Sequence, residues 1–420
     1  MEPKKVKEML ETNLERIKDH IETLNTFNST PGKGCTRLSF SAEHKKAIDY
    51  LTESCKSLGL EVSVDPIGNF RAKLKGREPD LPPVMCGSHI DTVLYGGKFD
   101  GAAGVVAALE ALTVIKEHNI QPKHSLEMIA LVEEEGSSFG GGLVASKALV
   151  GKYTLEDLKK LKNDEGISFY EAAKRFGLNP DELERYVLRK GDLKALIELH
   201  IEQGKILYSK SIPVGVVDAI VGIKQLSVTL EGTANHAGTT PMNLRHDALV
   251  GASKIITFIE HCAKHEAFDS TVATVGKIWC FPNVTNVIPG KVTFTVDIRD
   301  IKEEGIERIE QLLREKVKQV SKEHGLNYSI DLVGQSDSVK LSDKVISAIQ
   351  SAAEKLGIKY LRMHSGAGHD SALFTEVTDV GMIFVQSIEG ISHAPEEDTK
   401  YEDLKRGCDV LVNALLDIAQ

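Results

Sequence analysis

The sequence predicts an α/β protein: a discontinuous α/β domain with a mixed central sheet, plus an inserted α+β domain of βαββα type. Three observations carry this. Short apolar runs alternate with stretches of helical period through the first half of the chain, the pattern of strands crossed by helices. Near Pro213 the pattern changes to strands in which apolar and polar residues alternate, as in a sheet with one wet face. After residue 332 helix and apolar strand return, so residues 1–212 and 333–420 build one domain around an insertion, 213–332. An insertion of roughly 120 residues is a normal domain size.

The elements follow in order. Val6, Met9, Leu10, Leu14, Ile17, Ile21 and Leu24 recur at three- and four-residue steps and predict an amphipathic helix. Leu60–Val64, Asn69–Leu74 and Pro83–Gly87 read as strands, Ala102–His118 as a helix rich in Ala, Val and Leu, and Ser125–Val132 as a buried strand. Residues 151–195 are polar and helical in pattern, an excursion before the strand Ala195–Glu198, which His200 closely follows. In the insertion, strands are expected at Gln225–Glu231, Thr271–Trp279 and Val292–Ile298, with helices at Asp247–His265 and Gly305–Val320. Asp343–Leu356 returns to helix, and the strand Gly381–Gln386 leads to the loop of His393.

Composition excludes several classes. The chain has 420 residues, 41% hydrophobic and 27% charged, as expected of a soluble globular protein with a large core. Its formal charge of -10 comes without a long basic run, so nucleic acid is not an expected partner. No apolar stretch reaches the ~18 residues of a membrane span, and the N-terminus M-E-P-K-K-V-K has no apolar signal core. Six cysteines without C-x-x-C spacing suit a reducing compartment, so the cytoplasm is expected.

The residues with chemistry sit where strands end. His89 and Asp91 in G-S-H-I-D-T-V are two apart, so the carboxylate is expected to accept the second imidazole N–H and orient the ring toward a cation. Asp100 in G-G-K-F-D-G precedes a small-residue helix and suits either a helix N-cap or a metal ligand. Glu133, Glu134 and Glu135 end a buried strand, and carboxylates are seldom buried unless paired or metal-bound. Neighbouring side chains of extended backbone diverge, so one glutamate could ligate while the next reaches a metal-held water. With His200 in H-I-E-Q-G and His393 in G-I-S-H, these positions form a set of nitrogen and oxygen ligands without thiolate. Such a set suits two divalent cations, zinc and also manganese, cobalt or nickel, and implies a metal-dependent hydrolase.

G-S-H-I-D-T-V, G-G-K-F-D-G, E-E-E-G, H-I-E-Q-G, H-A-G-T-T-P-M, N-V-I-P-G with D-I-R, S-G-A-G-H-D and S-H-A-P-E-E occur in one order. In them the chain resembles the amidase/hydantoinase/carbamoylase group of the dinuclear zinc aminoacylase and carboxypeptidase superfamily, from about residue 20 to the C-terminus. The resemblance implies one metal on His89 and His200, another on Glu135 and His393, Asp100 bridging, and Glu134 as general base. It implies that His236 stabilises an oxyanion and that Asn286 and Arg299 bind a substrate carboxylate, with Gln203 and the Gly368 backbone completing the pocket. Taken by itself, Arg299 reads as a surface residue paired with Asp297 or Asp300. The α/β domain would then be catalytic and the insertion a lid and homodimer contact. The implied substrate is a small ureido or carbamoyl compound bearing a carboxylate, either an N-carbamoyl-L-amino acid or allantoate. Ser138 stands where the resemblance would give many relatives Arg or another large residue, so a contact made in some allantoate-acting members is expected to be missing; F-G-G-G-L-V-A-S-K-A-L-V-G also leans to the carbamoyl side.

Overall fold

The computed structural model of the protein describes residues 9–420. Its strands are β1 (Glu61–Val64), β2 (Phe70–Leu74), β3 (Val84–His89), β4 (Leu126–Leu131), β5 (Ala195–Ile201), β6 (Val214–Ile220), β7 (Gly222–Glu231), β8 (Asn235–His236), β9 (Val272–Thr274), β10 (Ile278–Phe281), β11 (Val287–Ile288), β12 (Lys291–Asp300), β13 (Asn327–Ser336), β14 (Val339–Lys340), β15 (Tyr360–Ser365) and β16 (Asp379–Val385). The chain divides into two units. Among the described residues, one comprises 9–218, 341–365 and 369–420; the other comprises 219–340 with 366–368. The turning points read from sequence, 213 and 332, differ from these because β6 runs on to Ile220 and β13 is one continuous strand through residue 332.

The first unit is built on a mixed sheet in the order β1-β2-β4-β3-β5-β16-β6. Strands β4, β3, β5 and β16 are mutually parallel, while β1, β2 and β6 run antiparallel to their neighbours. Every residue of β3 and β5 is buried, as expected for central parallel strands covered on both faces. The helix Ala102–Glu117 is buried from Ala102 through Ile115, which explains why it is apolar all round. It approaches the sheet closely: a Cβ on Gly104 would lie 2.2 Å from the Leu199 carbonyl oxygen and 2.6 Å from Ser88 Cβ. The C-terminal ends of the four parallel strands form one edge, the edge where open α/β sheets place their sites.

The first helix spans Leu14–Thr26, so Met9 and Leu10 precede it, and Val6 lies outside the described residues. Asn13 caps it by accepting from Arg16 N, and Thr12 is drawn away by two 2.6 Å hydrogen bonds to Asp409. Residues 151–195 form two short helices, Leu155–Lys160 and Phe169–Arg175, and a 3₁₀ turn, Pro180–Tyr186. No helix of the described residues is long and apolar enough to cross a membrane.

The second unit has a sheet in the order β10-β12-β7-β13, with β9 also on β12. Its helices Ala248–His265 and Glu303–His324 bury Ile255, Ile259, Ile309, Leu313 and Val317 against Leu226, Val228, Phe294 and Val296. The single strand expected at Thr271–Trp279 is two pieces, and β13 adds an edge strand that βαββα order lacks. β13 escaped notice because its side chains are mostly exposed, leaving weak alternation.

An Ala replacing a mid-helix Gly ordinarily gains about 1 kcal/mol. Gly104→Ala is expected instead to lose about 1–3 kcal/mol, because the new methyl meets the Leu199 backbone. Chemical denaturation checks this, and a raised midpoint would contradict the packing described.

Candidate metal centre

His89 ends β3 and His200 is the sixth residue of β5, inside the strand and not after it as the sequence suggested. Their Nε2 atoms face each other at 3.4 Å. Each ring's other nitrogen lies on a carbonyl: His89 Nδ1 on Asp91 O at 3.0 Å and His200 Nδ1 on Ile201 O at 2.8 Å. A carbonyl only accepts, so both rings carry a proton on Nδ1 and turn Nε2 inward. Asp100 Oδ1 lies 3.3 Å from His89 Nε2 and 3.1 Å from His200 Nε2, and has no hydrogen-bond partner. On the other side, His393 Nε2 is 3.2 Å from Asp100 Oδ2 and 3.4 Å from Glu135 Oε2. Glu134 Oε2 is 3.9 Å from His89 Nε2.

Three clusters of ligand atoms, each within 4.8 Å, therefore overlap: His89–Asp100–His200, His89–Glu134–Glu135 and Asp100–Glu135–His393. Inward-facing imidazole nitrogens around a buried, unsatisfied carboxylate oxygen demand positive charge, which a divalent cation would supply. The residues fit a metal centre of nitrogen and oxygen donors.

The proton affinities express the same demand. Burial opposes charge on Asp100, yet His200, His393 and His89 hold it well below the usual carboxylate range. Burial lowers His89, but Glu134, Asp100 and Asp91 carry it well above the usual imidazole value. His393 is raised to about 9, first by its bond to Asp100. Burial pushes Glu134 well above the carboxylate range; His89 pulls it back, and Asp370, Glu135 and Asp91 push it further. Burial, then Asp100, raises Glu135 to about 7.

The chain builds this cluster by local devices. Gly101, at φ 63°, precedes the helix Ala102–Glu117, and a Cβ there would lie 2.4 Å from the His89 ring. Gly101 is the cap residue of that helix, so Asp100 does not cap it with its side chain. Asp91 also differs from expectation. Its carboxylate stands 3.9 Å from His89 Nδ1, and the ring is held by the Asp91 backbone carbonyl instead. The carboxylate accepts from Glu134 N at 3.1 Å and Glu135 N at 3.2 Å, which fixes the turn that presents both glutamates. Glu133 points away and accepts from Ser138 N and Phe139 N, closing the loop after the glutamates. Glu133, Gln203 and His393 all adopt positive φ, at 59°, 55° and 55°, a concentration of strained backbone typical of functional sites. Gln203 Nε2 donates to Asp100 Oδ2 at 2.8 Å and sits 3.3 Å from His393 Nε2.

Five residues here were not singled out from sequence. Glu397 accepts from Phe99 N and Asp100 N, and Ser392 Oγ bridges it to Asp100. Glu198 and His369 are buried beside His200, and Asp370 is buried and accepts from Ser146 Oγ. The signals were a glutamate two residues before His200 in an apolar strand and the H-D that closes S-G-A-G-H-D.

The other expected residues lie in the second unit. His236, exposed on β8, accepts at Nδ1 from Gly238 N and Thr239 N, and Ala237 N donates to Asn286 O. Arg299, on the sheet face away from the helices, bonds Asp297 at 2.7 Å and the Gly366 carbonyl at 3.1 Å. It lines a 560 Å³ cavity with Gln225, Thr274, Lys277 and Gly366. Gly368 lies near Ile223, whose Cδ1 a Cβ would meet at 3.6 Å.

A mixed α/β sheet whose carboxyl edge gathers imidazoles and carboxylates around one shared aspartate defines a hydrolytic metal-centre architecture. Residues 85–417 match the model of Peptidase family M20/M25/M40, and the chain belongs to that family. It is 41% identical over 404 residues to the N-carbamoyl-L-amino-acid amidohydrolase of Pseudomonas sp. (strain NS671), covering 96% of this chain and 97% of that protein. It is 36% identical over 403 residues to the allantoate amidohydrolase of Escherichia coli (strain K12), covering 96% and 97%. A solved amidase of the hydantoinase/carbamoylase family from Burkholderia multivorans superposes with a TM-score of 0.91 at 33% identity, over 97% of this chain and 98% of that one. The resemblance read from the motifs therefore holds, and the chain is a hydrolase of C–N bonds.

A metal ion takes neutral imidazole, so His393 must shed its proton before binding. With its proton affinity raised from 6.5 to about 9 in the metal-free protein, His393 stabilises the fold below pH 6.5 and loses that contribution as pH rises toward 9. Over the same window the affinity for Mn²⁺ should climb. Thermal melts and metal titrations of chelator-stripped protein at several pH values check both trends; a flat affinity from pH 6.5 to 9 would contradict them.

Proposed function

We propose that this hydrolase cleaves the carbamoyl C–N bond of N-carbamoyl-L-amino acids, releasing amino acid, ammonia and carbon dioxide. The observation that carries the hydrolytic centre is the convergence of His89, His200 and His393 on the two oxygens of Asp100. The choice of substrate is supported by the 41% identity to an N-carbamoyl-L-amino-acid amidohydrolase over nearly the whole chain, against 36% to an allantoate amidohydrolase. Allantoate is the alternative substrate.

In this reading His89 and His200 would hold one divalent ion, Glu135 and His393 the other, and Asp100 would serve both. Zinc is the first candidate, with manganese, cobalt or nickel also compatible with the donors. Divalent ions bound there would supply a water of lowered pKa and polarisation of the scissile carbonyl. Glu134 takes the proton of the attacking water and returns it to the departing nitrogen. Asp91 keeps Glu134 and Glu135 in register through their backbone N–H groups.

The second unit supplies substrate recognition. Arg299 and Asn286 bind the carboxylate, for which a guanidinium offers two parallel hydrogen bonds. Asp297 fixes the guanidinium plane through its bond to Nε. His236 donates to the oxyanion, and Gln203 and the Gly368 backbone complete recognition. The same reading makes the second unit the catalytic 'lid' and the contact of a homodimer. Exposed Met242, Leu244, Trp279 and Phe281 support an association surface there. A cytoplasmic location is supported by six free cysteines.

Ammonia release from N-carbamoyl-L-methionine and from allantoate, measured side by side before and after chelation, tests the proposal. Chelator-sensitive release from the carbamoyl amino acid is expected; release from allantoate alone would replace the substrate assignment. Glu134→Gln should cut turnover by about 10²–10⁴-fold with metal content intact. Loss of metal instead would exchange the parts given to Glu134 and Glu135.

A further inference from the structure

Glu198 is a carboxylate inside an otherwise apolar strand, A-L-I-E-L-H-I, and the functional reading above leaves it without a part. It is 2% exposed, so its charge requires specific partners. Both oxygens have one: Ser88 Oγ donates to Oε1 at 2.6 Å and Ser371 Oγ donates to Oε2 at 2.5 Å. Ser88 immediately precedes His89 on β3. Glu198 lies two residues before His200 and so shares its face of β5.

A carboxylate oxygen of Glu198 lies within 4.8 Å of ring nitrogens of His200 and His369, a grouping that could be taken for one more metal site. The hydrogen bonds argue otherwise. Both Glu198 oxygens receive hydroxyl protons, His200 Nδ1 is on Ile201 O, and His369 Nε2 is 2.9 Å from Ser365 Oγ. The His369 ring stands edge-on to His200 at 4.6 Å between centroids, which fixes the ring but does not ligate through it.

The backbone shows what the Glu198 bonds are for. Pairing between β3 and β5 runs from Val84–Ala195 to Cys86–Ile197, whereas β3 stays paired with β4 as far as His89–Leu131, and β5 with β16 as far as Ile201–Val385. Gly104 of the covering helix lies against Leu199 O and Ser88 Cβ at the level where the β3–β5 ladder stops. The sheet parts just before the two histidines. Across that parting the Ser88–Glu198 bond ties one strand to the other, and Ser371 ties in the segment that follows His369 and Asp370.

We propose that Glu198 is a positioning residue: by tying Ser88 to β5 it sets the 3.4 Å spacing of His89 and His200, and with it the affinity for the ion held by that pair. This rests on the metal reading above. Outer partners of this kind change metal affinity by about 10–100-fold when removed.

The test is calorimetric titration of Mn²⁺ into chelator-stripped full-length protein, for wild type, Ser88→Ala, Glu198→Ala and Glu198→Gln. Wild type should bind two ions. Ser88→Ala and Glu198→Ala should keep one at wild-type affinity and bind the other about 10–100-fold more weakly. Glu198→Gln should recover most of the loss, since an amide can replace both hydrogen bonds once one hydroxyl turns round. Ser88→Ala removes a single hydroxyl and decides the matter if Glu198→Ala does not fold. Wild-type affinity for both ions in Ser88→Ala, or equal weakening of both, would overturn the positioning role. A wild-type protein that takes up no Mn²⁺ would overturn the metal reading itself.

Discussion

The structure depends on a buried carboxylate, Asp100, that three imidazoles approach at once. Its Oδ1 faces His89 and His200 without a hydrogen-bond donor, and its Oδ2 faces His393, Gln203 and Ser392. Such an arrangement is costly without compensating positive charge, since a buried ion unmatched by partners is strongly destabilised. The surrounding chain spends its irregular backbone on keeping it. Gly101 leaves room for the His89 ring, Glu397 accepts from the Asp100 N–H, and Gln203 and His393 take left-handed conformations to reach the carboxylate.

Around this carboxylate the elements divide the work. Parallel strands β3, β4, β5 and β16 deliver the segments that carry His89, Glu134, Glu135, His200 and His393 to one edge. Asp91 clamps the glutamate turn through its two N–H groups, and Glu133 closes the loop beyond. The glutamate run is thus three residues with three fates. Glu133 is a buried acceptor for its own loop, Glu134 faces His89, and Glu135 faces His393. In the second unit, Arg299 does pair with Asp297 as its surroundings in sequence suggested, and that pairing also orients the guanidinium within a lined cavity.

The parts legible in the sequence were those where a polar residue interrupts an apolar strand at its end. His89, Glu134 and Glu135 announce themselves this way, His393 stands in the loop beyond β16, and the alternation of strands and helices gave the sheet and its covering helices. Contacts made through the backbone were not legible. Asp91 and His89 are two residues apart, and a side-chain bond was the natural inference, yet the carbonyl holds the ring and the carboxylate reaches across 43 residues to Glu134 N. Glu198 and Glu397 were passed over because their partners, Ser88, Ser371 and the Asp100 N–H, are distant in sequence. The edge strand β13 was hidden by its exposure, and the start of the first helix by Thr12, whose pull toward Asp409 no helical periodicity records.

The central claim is that Asp100 stands between two cations. The most direct measurement is anomalous diffraction from crystals grown with Mn²⁺ or Zn²⁺. The account predicts two anomalous peaks about 3.5–4 Å apart, the separation of two-metal hydrolytic sites. One should lie against His89 and His200 and the other against Glu135 and His393, with an Asp100 oxygen on each. A single peak, or a peak seated on Glu198 and His369 instead, would contradict it.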